Sequence, residues 1–143
     1  MLMMPKRYEF FDHTADIGVH IYGATLPELF SNAAQAMYEV MGKLAKAESG
    51  KRREIKLEAT TLEDLLHDWL TELLYDFAAH QVLYDRLDIT EATPQRVVAI
   101  VSGSVVDFAR SEPREEIKAV TYHKLRVEQT TDGRWQATII FDV

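Results

Sequence analysis

Apolar positions along the chain change their spacing several times, and each change marks an element. Between Asp16 and Tyr22 they alternate: Ile17, Val19 and Ile21 fall on one side, Asp16, Gly18 and His20 on the other. That period of two predicts a half-buried strand. Tyr8–Phe11 reads as a shorter strand before it, with Asp12–Ala15 as the turn between them. From Leu26 the spacing becomes helical, through Leu29, Phe30, Ala33, Met37, Val40 and Met41. Thr25-Leu26-Pro27-Glu28 supplies the start. The Thr25 hydroxyl can accept from the amide three residues on, and Pro27 sits where a missing N–H costs nothing. Gly42 is the expected stop.

Lys43–Gly50 reads as a charged connector ending in a Ser-Gly turn signal, and Arg53–Ala59 as a strand. The strongest helical stripe follows Thr60-Thr61. It comprises Leu62, Leu65, Leu66, Trp69, Leu70, Leu73, Leu74 and Phe77. Glu63, Asp64, Asp68, Glu72 and Asp76 are expected on its other faces. Beyond it, Val82–Ile89, Arg96–Val106 and Val120–Glu128 are rich in Val and Ile and predict strands. Phe108–Lys118 is expected to be a loop, or a short helix from Arg114. Asp132-Gly133 predicts a hairpin joining Leu125–Gln129 to Arg134–Phe141. On that last strand Asp142 projects opposite Phe141, with Thr138 and Gln136. The order of elements predicts an α+β fold: a single domain, residues 1–143, with two helices packed on a mostly antiparallel sheet.

Length supports that reading. A chain of 143 residues carries one domain and can bury a sizeable core. It has no cysteine, which excludes disulfides, thiolate metal sites and thiol catalysis. Met1–Pro5 is too short for a signal core, and no apolar run approaches the roughly 18 residues of a membrane span. We expect a cytoplasmic protein without a membrane partner. The formal charge of −7 argues against direct nucleic-acid binding, which draws its affinity from Lys and Arg. The longest basic run, Lys51-Arg52-Arg53, reads as a solvated strand entry.

The candidate chemistry lies at the two ends. Asp16 begins a strand, and Asp142 stands beside the terminal carboxylate of Val143, with Asp12 in reserve. Together they offer hard oxygen ligands, which suit calcium or magnesium better than zinc. The competing reading makes these aspartates turn formers and caps. His13 beside Asp12 and Asp16 has the composition of a general base, but a turn histidine more often satisfies backbone groups. A small metal-dependent phosphoester hydrolase built on Asp12, His13, Asp16 and Asp142 is the enzymatic alternative. His20, on the polar face of its strand, is expected to be exposed. Lys118, Tyr122 and His123 are candidates for contacting a partner. None of the six glycines forms a phosphate-binding loop.

Several of these segments together resemble the archease family. They are Asp12-His13-Thr14-Ala15-Asp16-Ile17-Gly18, the helix opening Thr25–Phe30, the Leu62–Trp69 stretch, Ile117-Lys118-Ala119-Val120-Thr121-Tyr122-His123 and Phe141-Asp142-Val143. The resemblance runs essentially end to end. It implies a non-enzymatic accessory protein of RtcB-type, GTP-dependent RNA ligases, promoting ligase guanylylation and multiple turnover in tRNA splicing. It also implies, for some members, a chaperone-like role toward a tRNA cytosine methyltransferase. A divalent cation taken to be calcium is implied, with Asp16, Asp142 and Val143 as ligands by position. Many archaeal members read Tyr-His-Asp where this chain has Tyr122-His123-Lys124, so this chain carries a positive charge in place of the acidic group.

Overall fold

The computed structural model describes residues 6–143; Met1–Pro5, read above as too short for a signal core, lie outside the described residues. The chain forms β1 (Tyr8–His13), β2 (Asp16–Gly23), α1 (Leu26–Met41), β3 (Gly42–Glu58), α2 (Leu62–His80), β4 (Val82–Thr93), β5 (Arg96–Pro113), β6 (Ala119–Val120), β7 (Arg126–Gln129) and β8 (Trp135–Asp142). This is the α+β class, with every strand pair antiparallel. The strands divide into two sheets. One runs β1-β2-β8-β6 with β7 also on β8, and the other runs β3-β5-β4.

Both helices begin as their caps require. The Thr25 hydroxyl accepts from the Glu28 amide at 3.3 Å, and the Thr61 hydroxyl accepts from the Asp64 amide at 3.1 Å. Gly42 ends α1 at φ 126°, a backbone angle that favours glycine. α1 touches strands of both sheets and is buried around most of its circumference, from Leu29 and Phe30 to Ala36 and Tyr38. A helix apolar on so many sides belongs to the interior layer. α2 buries one stripe, Leu65 to Leu74, and closes the same core. Trp69 is fully buried there. Its indole N–H donates to the Phe30 carbonyl at 3.0 Å, and its ring meets the Phe30 ring edge-on.

Four segments differ from the sequence expectation. Lys43–Gly50 is no connector: β3 runs unbroken from Gly42, with irregularities in register on either side of Ser49. Lys43 and Lys46 are compatible with a strand because both are exposed there. The expected loop or helix of 108–118 is instead the far end of β5, followed by extended chain over 114–118. Asp76 was expected on an open face of α2 but is buried. Its Oδ2 accepts from the Tyr84 hydroxyl at 2.8 Å and from Arg53 Nη1 at 2.9 Å, while Arg53 Nη2 reaches Glu72 at 2.8 Å. The expected strand of 120–128 breaks into β6 and β7. Between them Lys124 takes φ 54°, and the chain turns out of the ladder.

Candidate functional site

The two ends of the chain meet in one sheet because β2 lies between β1 and β8. The first hairpin is tighter than expected: β1 continues to His13, which pairs with Asp16, and only Thr14 and Ala15 remain in the turn. Ala15 accepts a left-handed φ of 61° to close it. On the other side, Asp16 is directly opposite Asp142. Directly opposed residues project from the same face, so both carboxylates stand together on the outer side of the sheet, away from the helices. Ile17 and Phe141, one step along, point the other way into the core.

β6 extends this edge. Ala119 is opposite Asp142, and the Lys118 amide donates to the Asp142 carbonyl at 2.7 Å. Lys118 thus fixes Asp142 through its backbone, while its side chain is exposed. The break at 121–125 then folds over the outer face. Thr121 bonds the Ile140 carbonyl through both its amide and its hydroxyl, and His123 comes to 5.1 Å, ring centre to ring centre, from His13. Tyr122 turns to the opposite side and stacks on His67 of α2 at 4.0 Å. Its phenol pKa is raised, first by burial and then by the Asp64 and Asp68 carboxylates.

Asp16, Asp142, His13 and His123 therefore converge on one patch, and Val143 follows directly. Asp12 is the exception: it pairs with Ile17, which puts it on the other face of the sheet. Tyr122 contributes to a neighbouring surface rather than to the patch itself. His13 Nδ1 is buried and has no hydrogen-bond partner; Asp16 Oδ2 stands 3.5 Å away, outside bonding geometry. Among the described residues Asp142 has no ion-pair partner, and Asp16 has only this distant imidazole. Among the described residues the two carboxylates stand opposite each other with no lysine or arginine paired to them and an unpaired His13 ring nitrogen alongside, an arrangement that fits a small hard cation. Among the described residues no group of three or more His, Asp or Glu side chains is arranged to hold a metal, so a third protein ligand would have to come from a chain-terminal or backbone oxygen.

Two contributors were not foreseen. His20, expected to be exposed, is half-buried: its ring stacks on Phe11 at 4.5 Å, and Nδ1 lies 3.1 Å from the Thr138 hydroxyl. Gly18 makes this possible, because a Cβ there would come within 2.2 Å of the Phe11 ring. His67 was hidden in the helical pattern of α2. Its Nε2 contacts the Val120 carbonyl at 2.9 Å, and Nδ1 lies 3.1 Å from Asp68. It ties α2 to β6 and so helps set the position of Asp142. A histidine breaking an otherwise acidic helix face was its only sequence signal.

No helix is long and apolar enough to cross a membrane among the described residues. The profile of the Archease protein family (MTH1598/TM1083) matches residues 8–143. An archease of Thermococcus gammatolerans is 39% identical over 142 residues, covering 96% of this chain and 99% of the relative. One from Methanosarcina acetivorans is 41% identical over 143 residues, covering 96% and 97%. The solution structure of Methanobacterium thermoautotrophicum protein 1598 superimposes with a TM-score of 0.74 at 34% identity, covering 96% of this chain and 99% of that one. A crystal structure from Thermotoga maritima, described as an archease and possible chaperone, shares the fold at a TM-score of 0.66 and 23% identity, with both chains fully covered. The shared sequence spans both ends that build the carboxylate patch, and the chain belongs to the archease family.

Proposed function

We propose that this protein is a non-catalytic accessory factor of an RtcB-type, GTP-dependent RNA ligase. In this reading it acts in the cytoplasm during tRNA splicing and promotes ligase guanylylation and multiple turnover. The observation that carries the reading is the pairing of Asp16 with Asp142 on an open sheet face. It supplies concentrated charge, and the sequence has no glycine-rich loop to bind a nucleotide.

Asp16, Asp142 and Val143 would hold a divalent cation through oxygen atoms, with calcium favoured by the all-oxygen set. A bound ion would supply positive charge and open coordination sites at this edge. The chain's own residues do the positioning. The Lys118 amide and the β2 ladder hold Asp142, and the two-residue turn holds His13 against Asp16. His123 borders the patch, Lys118 is exposed next to the strand that holds Asp142, and Tyr122 is exposed on the neighbouring surface; these side chains would meet the ligase. The effect on the ligase requires tighter binding to its guanylylation-competent state than to its idle state, because only that difference shifts the population.

Single-turnover guanylylation of the ligase, with and without this protein, tests the reading. Wild type should stimulate, and Asp16→Ala and Asp142→Ala should lose most of the stimulation. Undiminished stimulation by both variants would refute it. So would chelator-sensitive phosphoester turnover by the purified protein alone, which would favour the hydrolase.

A further inference from the structure

Of the five histidines, four have a partner or water. His20 Nδ1 lies 3.1 Å from the Thr138 hydroxyl. His67 meets the Val120 carbonyl at 2.9 Å and Asp68 at 3.1 Å. His80 and His123 are exposed. His13 differs. Among the described residues its Nδ1 is the one buried side-chain nitrogen or oxygen without a hydrogen-bond partner, although the side chain as a whole is 22% exposed. A polar atom shut away from water and left unpaired costs free energy, and its presence needs a cause.

The surroundings supply one. His13, Asp16 and Asp142 form a single row across β1, β2 and β8, with Asp16 in the middle. Directly opposed residues leave the same face, so the Asp16 carboxylate has an imidazole on one side and a second carboxylate on the other. Its Oδ2 stands 3.5 Å from His13 Nδ1. That is roughly half an ångström longer than an N–H···O bond. The imidazole is held in place. Ala15 closes the turn beneath it at φ 61°, and the His123 ring lies 5.1 Å away, on a loop anchored by two bonds from Thr121 to the Ile140 carbonyl. A small rotation of the Asp16 carboxyl about its own side-chain bonds would close the gap.

We propose that His13 is the positioning residue of the cation site: its Nδ1–H donates to Asp16 Oδ2 and leaves Oδ1 turned toward Asp142 for the ion. The inference rests on the cation reading above and assigns His13 a role within it. A cation between the two carboxylates draws one Asp16 oxygen toward Asp142, and the other oxygen then faces the imidazole. Outer hydrogen bonds of this kind orient ligating carboxylates, and their loss typically lowers metal affinity by roughly 10–100-fold. Direct ligation by Nδ1 is the weaker alternative, because calcium and magnesium select oxygen donors.

Calorimetric titration of the full chain with calcium, together with nitrogen NMR of the imidazoles, tests this role. His13→Phe keeps a ring and removes the donor. It should weaken calcium binding about tenfold or more. His13→Asn puts an N–H at the same number of bonds from the backbone as Nδ1 and should recover most of that loss. Long-range proton–nitrogen spectra of the calcium-loaded wild type should show hydrogen on His13 Nδ1, whether the ring is neutral or charged. Far-UV circular dichroism checks that each variant folds; should His13→Phe fail to fold, the spectra and the asparagine variant decide. Unchanged affinity in His13→Phe, or an asparagine variant as weak as the phenylalanine one, would overturn the positioning role and leave the cation site standing. A bare Nδ1 in the loaded protein would also overturn it, and make His13 a ligand. A wild type that binds no calcium would remove the cation reading and this inference with it.

Discussion

The carboxylate pair predicts a change of sign in stability. Asp16 and Asp142 are directly opposed across two antiparallel strands, so their Cβ atoms lie about 4.5–5.5 Å apart. Two unit charges at about 5 Å repel by about 3 kcal/mol at an effective dielectric of 20 and by about 1 kcal/mol in bulk water. The Asp16 side chain is 27% exposed, so the repulsion lies between these limits, and about 1 kcal/mol is the smallest effect expected. Asp142→Asn keeps the shape and removes one charge. In chelator it should therefore raise the unfolding free energy by at least about 1 kcal/mol, against the usual tendency of substitutions to destabilise. Calcium should reverse the order. At a hundred times its dissociation constant a ligand adds about 2.7 kcal/mol to the wild type. With an unfolding entropy of about 0.3 kcal/mol/K for this length, the midpoint should rise by about 9 °C. The variant should gain little. Thermal melts followed by circular dichroism, each protein with chelator and with calcium, would display the crossing. If Asp142→Asn is destabilised in chelator and calcium moves both proteins alike, the aspartates are turn and edge residues and the cation site does not exist.

Two other outcomes follow from the polar network behind α2. Asp76→Ala leaves the Tyr84 hydroxyl without its acceptor, while Arg53 keeps Glu72 and some solvent. Urea denaturation should show a loss of about 2–4 kcal/mol, and a loss below about 1 kcal/mol would mean the network is replaceable. Tyr84 titrates at about 12 in the folded chain, raised from 10.0 first by burial and then by the bond to the Asp76 carboxylate and its charge. Because the folded value lies above the unfolded one, this stability is complete below pH 10 and is lost as the pH rises toward 12, at up to about 1.4 kcal/mol per pH unit. Tyr84→Phe should flatten that part of the alkaline unfolding profile, and an unchanged profile would exclude Tyr84 as its source.

Both helices and their caps could be read from the chain because their signals are local. Thr25 and Thr61 act within one turn, and the Leu62–Phe77 stripe needs no knowledge of its partners. The division of the strands into two sheets was not legible. Alternation shows that a strand has a buried face but not which sheet it joins, and α1 lies between the sheets only because of pairings distant in sequence. Charge density misled at Lys43–Gly50, since a strand with one face in water tolerates lysine as readily as a loop does. Asp76 misled for the converse reason: its partners Arg53 and Tyr84 come from β3 and β4, and only their approach makes a buried carboxylate affordable.

The patch itself was legible as residue types but not as an arrangement. Asp16 and Asp142 are far apart in the chain, and their meeting depends on β8 inserting beside β2 in one register. A slip of one residue would bring Phe141 or Val143 opposite Asp16, and in the latter case would place Asp142 against Ile17, on the core side. The register is held by the apolar half of the same strands, Ile17, Val19 and Ile21 against Phe141, Ile139 and Ala137. The alternation that buries those six side chains necessarily turns both carboxylates outward together. Repulsion between the carboxylates is thus imposed by the packing of the core, and the fold tolerates it at an edge where a cation or a partner protein has access.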